Sequence, residues 1–222
     1  GDDDEPEFAL GSWFSMLFAA GMGIGLVFFG VAEPISHYIE APPGTVSNTP
    51  EAAGAAMRYT FFHWGIHPWA VYSAVALAIA FFQYRRGGVA LVSTVTDALP
   101  WPIVRHMGGF FNGLAVVATA FGVAASLGVG ALQINNGLNT VFGLQVSEAS
   151  QIGIIVLATV MFLGSAVSGV TRGVKILSNA NMSLAALLAL AVFILGPTVA
   201  IIDTLTSTLG NYVTEFVRMS LR

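Results

Sequence analysis

The feature that most constrains this chain is its set of long stretches without a formal charge. Residues 9–32, 59–84, 107–147, 149–171 and 176–202 contain no Asp, Glu, Lys or Arg. The hydrocarbon core of a bilayer takes about 20 apolar residues in a helix, and every stretch reaches that length. Inside lipid no water is available to pair with backbone groups, so runs of this length are helices rather than barrel strands of about ten residues. Composition agrees: 55% of the 222 residues are hydrophobic and 9% are charged, whereas a soluble domain carries about a quarter charged residues. The chain has too little charge to clothe a water-facing surface. It is expected to be an all-α integral membrane protein, a single transmembrane domain over residues 1–222. Its spans are expected at about 9–36, 55–84, 108–143, 150–170 and 176–202.

The segments between the runs read as connectors. Ala41-Pro42-Pro43-Gly44 through Pro50 is rich in turn formers, Arg85-Arg86-Gly87-Gly88 ends the second run, and Ala98-Leu99-Pro100-Trp101-Pro102 breaks any helix before the third. From about 204 to 222, apolar residues alternate with Thr204, Asn211, Glu215 and Arg218, a mixture that suits an amphipathic helix on the membrane surface. Arg85, Arg86, Arg105, Arg172 and Lys175 fall on one side of the membrane, and Arg58, Arg218 and Arg222 on the other. The excess places the first group, and with it the N-terminus, on the cytoplasmic side. An odd number of spans leaves the two ends on opposite sides, the arrangement of a unit that pairs with an inverted copy. No second copy is visible, and the chain starts at Gly1 rather than Met, so it is expected to be cut from something longer. No basic patch is present to hold nucleic acid, and the absence of cysteine excludes disulfides and thiolate metal sites.

Four groups of residues carry chemistry. Gly21, Gly23 and Gly25 fall within five residues of the first run, around Met22. Each glycine costs a helix roughly 1 kcal/mol relative to Ala. A helix that unwinds there presents carbonyls to a cation and a half-helix N-terminus to an anionic group; alternatively Gly21 and Gly25 form a G-x-x-x-G packing pair. In the second run, Trp69 and Tyr72 are three apart and share a helix face, with Trp64 five residues before Trp69. Such a cluster binds a quaternary ammonium through cation–π attraction, or forms the aromatic belt of the lipid–water boundary. His63 and His67 have a metal-like spacing, but the sequence offers four histidines, no cysteine and no carboxylate near the pair. A membrane metalloenzyme is therefore the remote alternative, and no catalytic residue is assigned. Glu33, before Pro34, either relays protons or pairs with a cation, or marks the interface, the reading favoured here. In the third run, Gly122, Ser126 and Gly130 make a small-residue packing stripe. Thr119 offers a hydroxyl to a hard cation or bonds its own helix backbone.

Taken together, the segments resemble the betaine/choline/carnitine transporter family. The resemblance is carried by Met16-Leu17-Phe18-Ala19-Ala20-Gly21-Met22-Gly23-Ile24-Gly25, Ala32-Glu33-Pro34, Phe62-His63-Trp64-Gly65-Ile66-His67-Pro68-Trp69, Gly130-Ala131-Leu132-Gln133-Ile134 and Leu177-Ser178-Asn179-Ala180-Asn181-Met182. It implies a LeuT-type fold of two inverted five-helix repeats, of which this chain looks like the first, with the start of the surface helix that follows. It implies that the glycine stretch is a broken helix beside the substrate. Trp64, Trp69 and Tyr72 match an aromatic box, the carbonyls of Ala19 and Met22 match part of one sodium site, and Thr119 matches part of another.

The implied function is sodium-coupled import of a zwitterionic quaternary-ammonium solute, glycine betaine above all, across a bacterial plasma membrane. No cofactor is implied beyond sodium as coupling ion, and the family's frequent trimers make a homotrimer the implied assembly. Choline carriers of the family tend to have Asp where this chain has Gly25, so no acid stands there to neutralise a purely cationic substrate. Val123 replaces a second Thr that some relatives carry, which takes an oxygen from one sodium site. The alternative within the family is a sodium-independent or proton-coupled carrier of choline or carnitine.

Overall fold

The computed structural model of the chain describes residues 5–21 and 23–221. The first uncharged stretch forms two helices, α1 (Leu10–Gly21) and α2 (Ile24–Ile39), rather than one. At 12 and 16 residues, neither reaches the length of a full span. The interruption falls inside the glycine stretch, with Gly23 in a bend; Met22 lies outside the described residues.

The second stretch is also divided. Thr49 caps α3 (Pro50–Trp64): its hydroxyl accepts the Ala52 N–H at 3.1 Å, and Pro50 takes the first turn, where a missing N–H costs nothing. α3 stops at Gly65, whose N–H donates to the Phe61 carbonyl at 2.8 Å, and α4 (Ile66–Ala80) starts directly after it. A Cβ on Gly65 would run into the Phe61 carbonyl oxygen and press on the Tyr212 ring, 3.3 Å from its hydroxyl. Glycine is needed here for closeness of approach. α4 continues into a π-helical turn, Phe81–Arg85, and the Arg86 guanidinium lies 5.8 Å from the centre of the Phe81 ring. That distance is within cation–π range.

Two short helices follow, α5 (Val92–Thr96) and α6 (Pro102–His106), before α7 (Gly108–Phe142), 35 residues long. α7 closes at Gly143, which takes φ +70° and donates to the Asn139 carbonyl at 2.8 Å. This is the left-handed cap that glycine adopts without a side-chain penalty. α8 (Glu148–Val167) is capped by Ser147, a π-helical turn covers Val170–Val174, and α9 (Lys175–Leu195) and α10 (Thr198–Ser220) complete the chain. No strand occurs among the described residues. Pro50–Arg85, Gly108–Phe142, Glu148–Val167 and Val170–Leu195 are long and apolar enough to cross a membrane.

The fifth run departs from its expected bounds. It was expected to span 176–202, with the amphipathic helix from about 204, but the break lies at Gly196-Pro197 and α10 begins at Thr198. Proline has no N–H to continue the ladder, and the Gly196 N–H closes α9 on the Val192 carbonyl at 2.9 Å. Hydropathy continues across this point and does not reveal the break. The second helix starts at Pro50 rather than about 55, because the Thr49 cap outweighs the charges of Glu51 and Arg58.

The chain forms two compact units: Gly1–Ala32 with Leu127–Ser207, and Glu33–Ser126 with Thr208–Arg222. In the first, α1 packs on α9, where Ser15 and Ser178 are buried and Asn179 Nδ2 donates to Ser12 Oγ at 3.2 Å. Asn135 of α7, fully buried, donates to the Gln145 carbonyl and accepts the Ser147 N–H, both at 3.3 Å, which pins the turn into α8. In the second unit the buried face of α10, with Thr208, Tyr212 and Met219, is set against protein. Tyr212 packs edge-on against Phe61 and Phe216 beside the Gly65 break. Replacing Gly65 with Ala is expected to destabilise the full-length protein by about 1 to 3 kcal/mol through overpacking. Thermal unfolding in detergent measures this, and an unchanged midpoint refutes the close approach.

Candidate functional site

The glycine break gives the first group of candidates its chemistry. A helix that ends at Gly21 leaves the carbonyls of its last turn, Ala19 among them, without partners within the helix. A helix that begins at Ile24 leaves its first N–H groups free, Gly25 included. The carbonyl end suits a cation and the N–H end an anion. Among the described residues, no atom lies within 4 Å of where a Cβ on Gly23 would stand.

On α4, Trp69 and Tyr72 meet edge to face, with ring centres 6.0 Å apart at 77°. They are 40% and 64% exposed. Two ring faces held at an angle and left uncovered are what a quaternary ammonium needs. Trp64 is placed differently. It is the last residue of α3, and its indole N–H donates to Glu33 Oε2 at 2.5 Å. Thr119 donates to the Ala115 carbonyl at 2.8 Å, within its own helix. Its hydroxyl keeps its lone pairs for a cation.

Glu33 is the residue that sequence reasoning undervalued. It was read as an interface marker, yet its carboxyl group is 13% exposed and ties two helices together. Oε1 lies 2.5 Å from His63 Nδ1 and 3.4 Å from His37 Nε2, while Oε2 accepts from Trp64. The expectation that no carboxylate stands near the histidines is therefore wrong for His63. The i, i+4 pair itself is not a shared site. The Gly65 break separates the two rings, and His67 turns to α10, with Nδ1 2.7 Å from the Tyr212 hydroxyl and Nε2 2.6 Å from Ser220 Oγ. Only the i, i+4 relation of Glu33 and His37 hinted at the cluster.

The family model described as "BCCT, betaine/carnitine/choline family transporter" matches residues 1–222. The glycine betaine transporter OpuD of Bacillus subtilis is 51% identical over 99% of the chain and 43% of its own length. An ectoine/hydroxyectoine transporter of Virgibacillus pantothenticus is 42% identical over 98% of the chain and 44% of its own length. The betaine/ectoine transporter LcoP of Corynebacterium glutamicum is 40% identical over 99% of the chain and 35% of its own length. The chain thus spans less than half the length of these relatives. They are transporters, not enzymes, which removes the metalloenzyme alternative built on His63 and His67.

Substituting Trp64 with Phe keeps the ring and removes the N–H that Glu33 accepts. A hydrogen bond to a charged group contributes about 1.5 to 3 kcal/mol, and the partial exposure of Glu33 favours the low end. The variant is expected to unfold earlier in a denaturant series on the full-length protein. Stability equal to the parent refutes the bond.

Proposed function

The chain belongs to the betaine/carnitine/choline transporter family, and on that premise we propose that the protein it is part of imports a quaternary-ammonium compatible solute, glycine betaine first, driven by sodium. The observation that carries this reading is the exposed edge-to-face pair of Trp69 and Tyr72. A trimethylammonium group has no N–H to donate, so polar side chains cannot hold it well and aromatic faces can. Trp64 joins that box, its indole oriented by Glu33. The free N–H groups at the start of α2, near Gly23 and Gly25, take the carboxylate of the zwitterion. Gly21 and Met22 complete the backbone lining.

Sodium prefers oxygen ligands, by the logic that holds for other hard cations. The carbonyls of Ala19 and Met22 supply one site, and the Thr119 hydroxyl contributes to a second. Gly25 brings no carboxylate, which favours a zwitterion over a bare cation. The chain acts as the first five-helix repeat of a LeuT-type fold, with α1 and α2 as halves of its first span and α10 leading to the second repeat. Alternating access follows from rocking one helix group against another. The protein sits in the bacterial inner membrane as a homotrimer, and the N-terminus of this chain is cytoplasmic.

The test is uptake of labelled glycine betaine by the full-length protein, with and without a sodium gradient and with choline and ectoine as competitors. Sodium-dependent uptake that choline does not compete supports the reading. Uptake indifferent to sodium keeps the aromatic box and transfers the coupling to protons or to none, with Val123 as part of the cause. Trp69→Ala is expected to raise KM roughly two- to thirty-fold, the range of one cation–π contact. An unchanged KM removes Trp69 from the box.

A further inference from the structure

We propose that Glu33, His37 and His63 form a binding site for a divalent transition metal of the zinc class, distinct from any site for the coupling ion. One donor atom from each residue lies within 4.8 Å of the other two. Two imidazoles and a carboxylate are a donor set for zinc and its neighbours, whereas sodium takes oxygen alone.

The geometry is close to what such an ion requires. Metal–ligand bonds of about 2.0 to 2.1 Å in a tetrahedron hold the donors about 3.3 to 3.4 Å apart. His37 Nε2 and Glu33 Oε1 already stand 3.4 Å apart. His63 Nδ1, at 2.5 Å from the same oxygen, has to move out by less than an ångström. Its side chain is 44% exposed.

Two further observations point to an ion. His37 Nε2 is buried and has no hydrogen-bond partner among the described residues, although it faces the carboxyl group. A buried polar atom of that kind calls for an explanation, and a metal supplies one. The other carboxyl oxygen is held by the Trp64 N–H at 2.5 Å. This is the outer contact that usually fixes a ligating carboxylate. Three protein ligands leave a fourth position for water. Glu33 and His37 sit one turn apart on α2, and His63 in the last turn of α3, so the ion clips these two helices together. The inference stands apart from the transport reading, because binding is measured without transport.

Purified full-length protein in detergent, titrated with Co²⁺, is expected to develop visible absorption of a tetrahedral site at one ion per chain, which Zn²⁺ then abolishes. His37→Ala and His63→Ala are each expected to weaken binding by at least ~10-fold, while His106→Ala, outside the cluster, leaves it unchanged. For the unmodified chain, Zn²⁺ is expected to protect His37 and His63, but not His106, from diethylpyrocarbonate. This readout decides the matter if a variant does not fold. Absence of the visible band, binding that survives loss of both histidines, or equal protection of His106 overturns the proposal. Without an ion, the 3.4 Å approach of His37 to Glu33 is then a polar contact only.

Discussion

In hydrocarbon, an amide or carbonyl that leaves its helix has no water to turn to, and each such group costs several kcal/mol. This constraint orders the chain. Long uncharged runs become helices because only a helix satisfies its own backbone. Wherever a run stops being helical, something else must take up the freed groups. At Gly65 the N–H turns back to Phe61 and the ring of Tyr212 closes over the notch. At Gly196-Pro197 the N–H of Gly196 turns back to Val192, and proline contributes no donor to be orphaned. The break between Gly21 and Ile24 faces the same demand. The carbonyls at one lip and the N–H groups at the other are the backbone groups left there without a helical partner.

Polar side chains in this setting act as fasteners, each reaching across a gap that apolar contact leaves unspecified. Asn179 reaches Ser12, Asn135 holds the turn before Ser147, and Glu33 gathers Trp64 and His63. Apolar helix faces slide against one another at little cost in lipid, since lipid tails are as apolar as leucine. A directional bond at each junction fixes the register that dispersion forces alone leave loose. The Asn179 bond also gives physical content to the Ser178-Asn179 segment, which the sequence marked only by resemblance.

What was legible in the sequence followed from local chemistry. Charge-free length located the runs, and the three-residue spacing of Trp69 and Tyr72 predicted their shared face; the glycine spacing left packing and unwinding open, and only the resemblance pointed to a break. Contacts between distant segments were not legible. His63 lies 30 residues from Glu33 and His67 lies 145 from Tyr212, and no periodicity reports such pairings. The i, i+4 spacing of the two histidines suggested one site, whereas the Gly65 break sends the rings in different directions. Hydropathy placed the end of the fifth run too late, because Ile201 and Ile202 are as apolar beyond Pro197 as before it.

The lengths of α7 and α8 differ in a way that bears on how the chain meets membranes of different thickness. At 1.5 Å per residue, the 20 residues of α8 cover about 30 Å, the thickness of a hydrocarbon core. Glu148 opens this helix and Arg172 follows it closely, so it resists vertical displacement. The 35 residues of α7 cover about 52 Å, with no charge along their length. A helix that long meets a core of about 30 Å by tilting or by extending past it, and its amides at Asn112, Gln133, Asn135, Asn136 and Asn139 lie toward its two ends. With Asn135 holding α7 to the turn before α8, tilt rather than sliding is the way α7 meets a thicker or thinner bilayer.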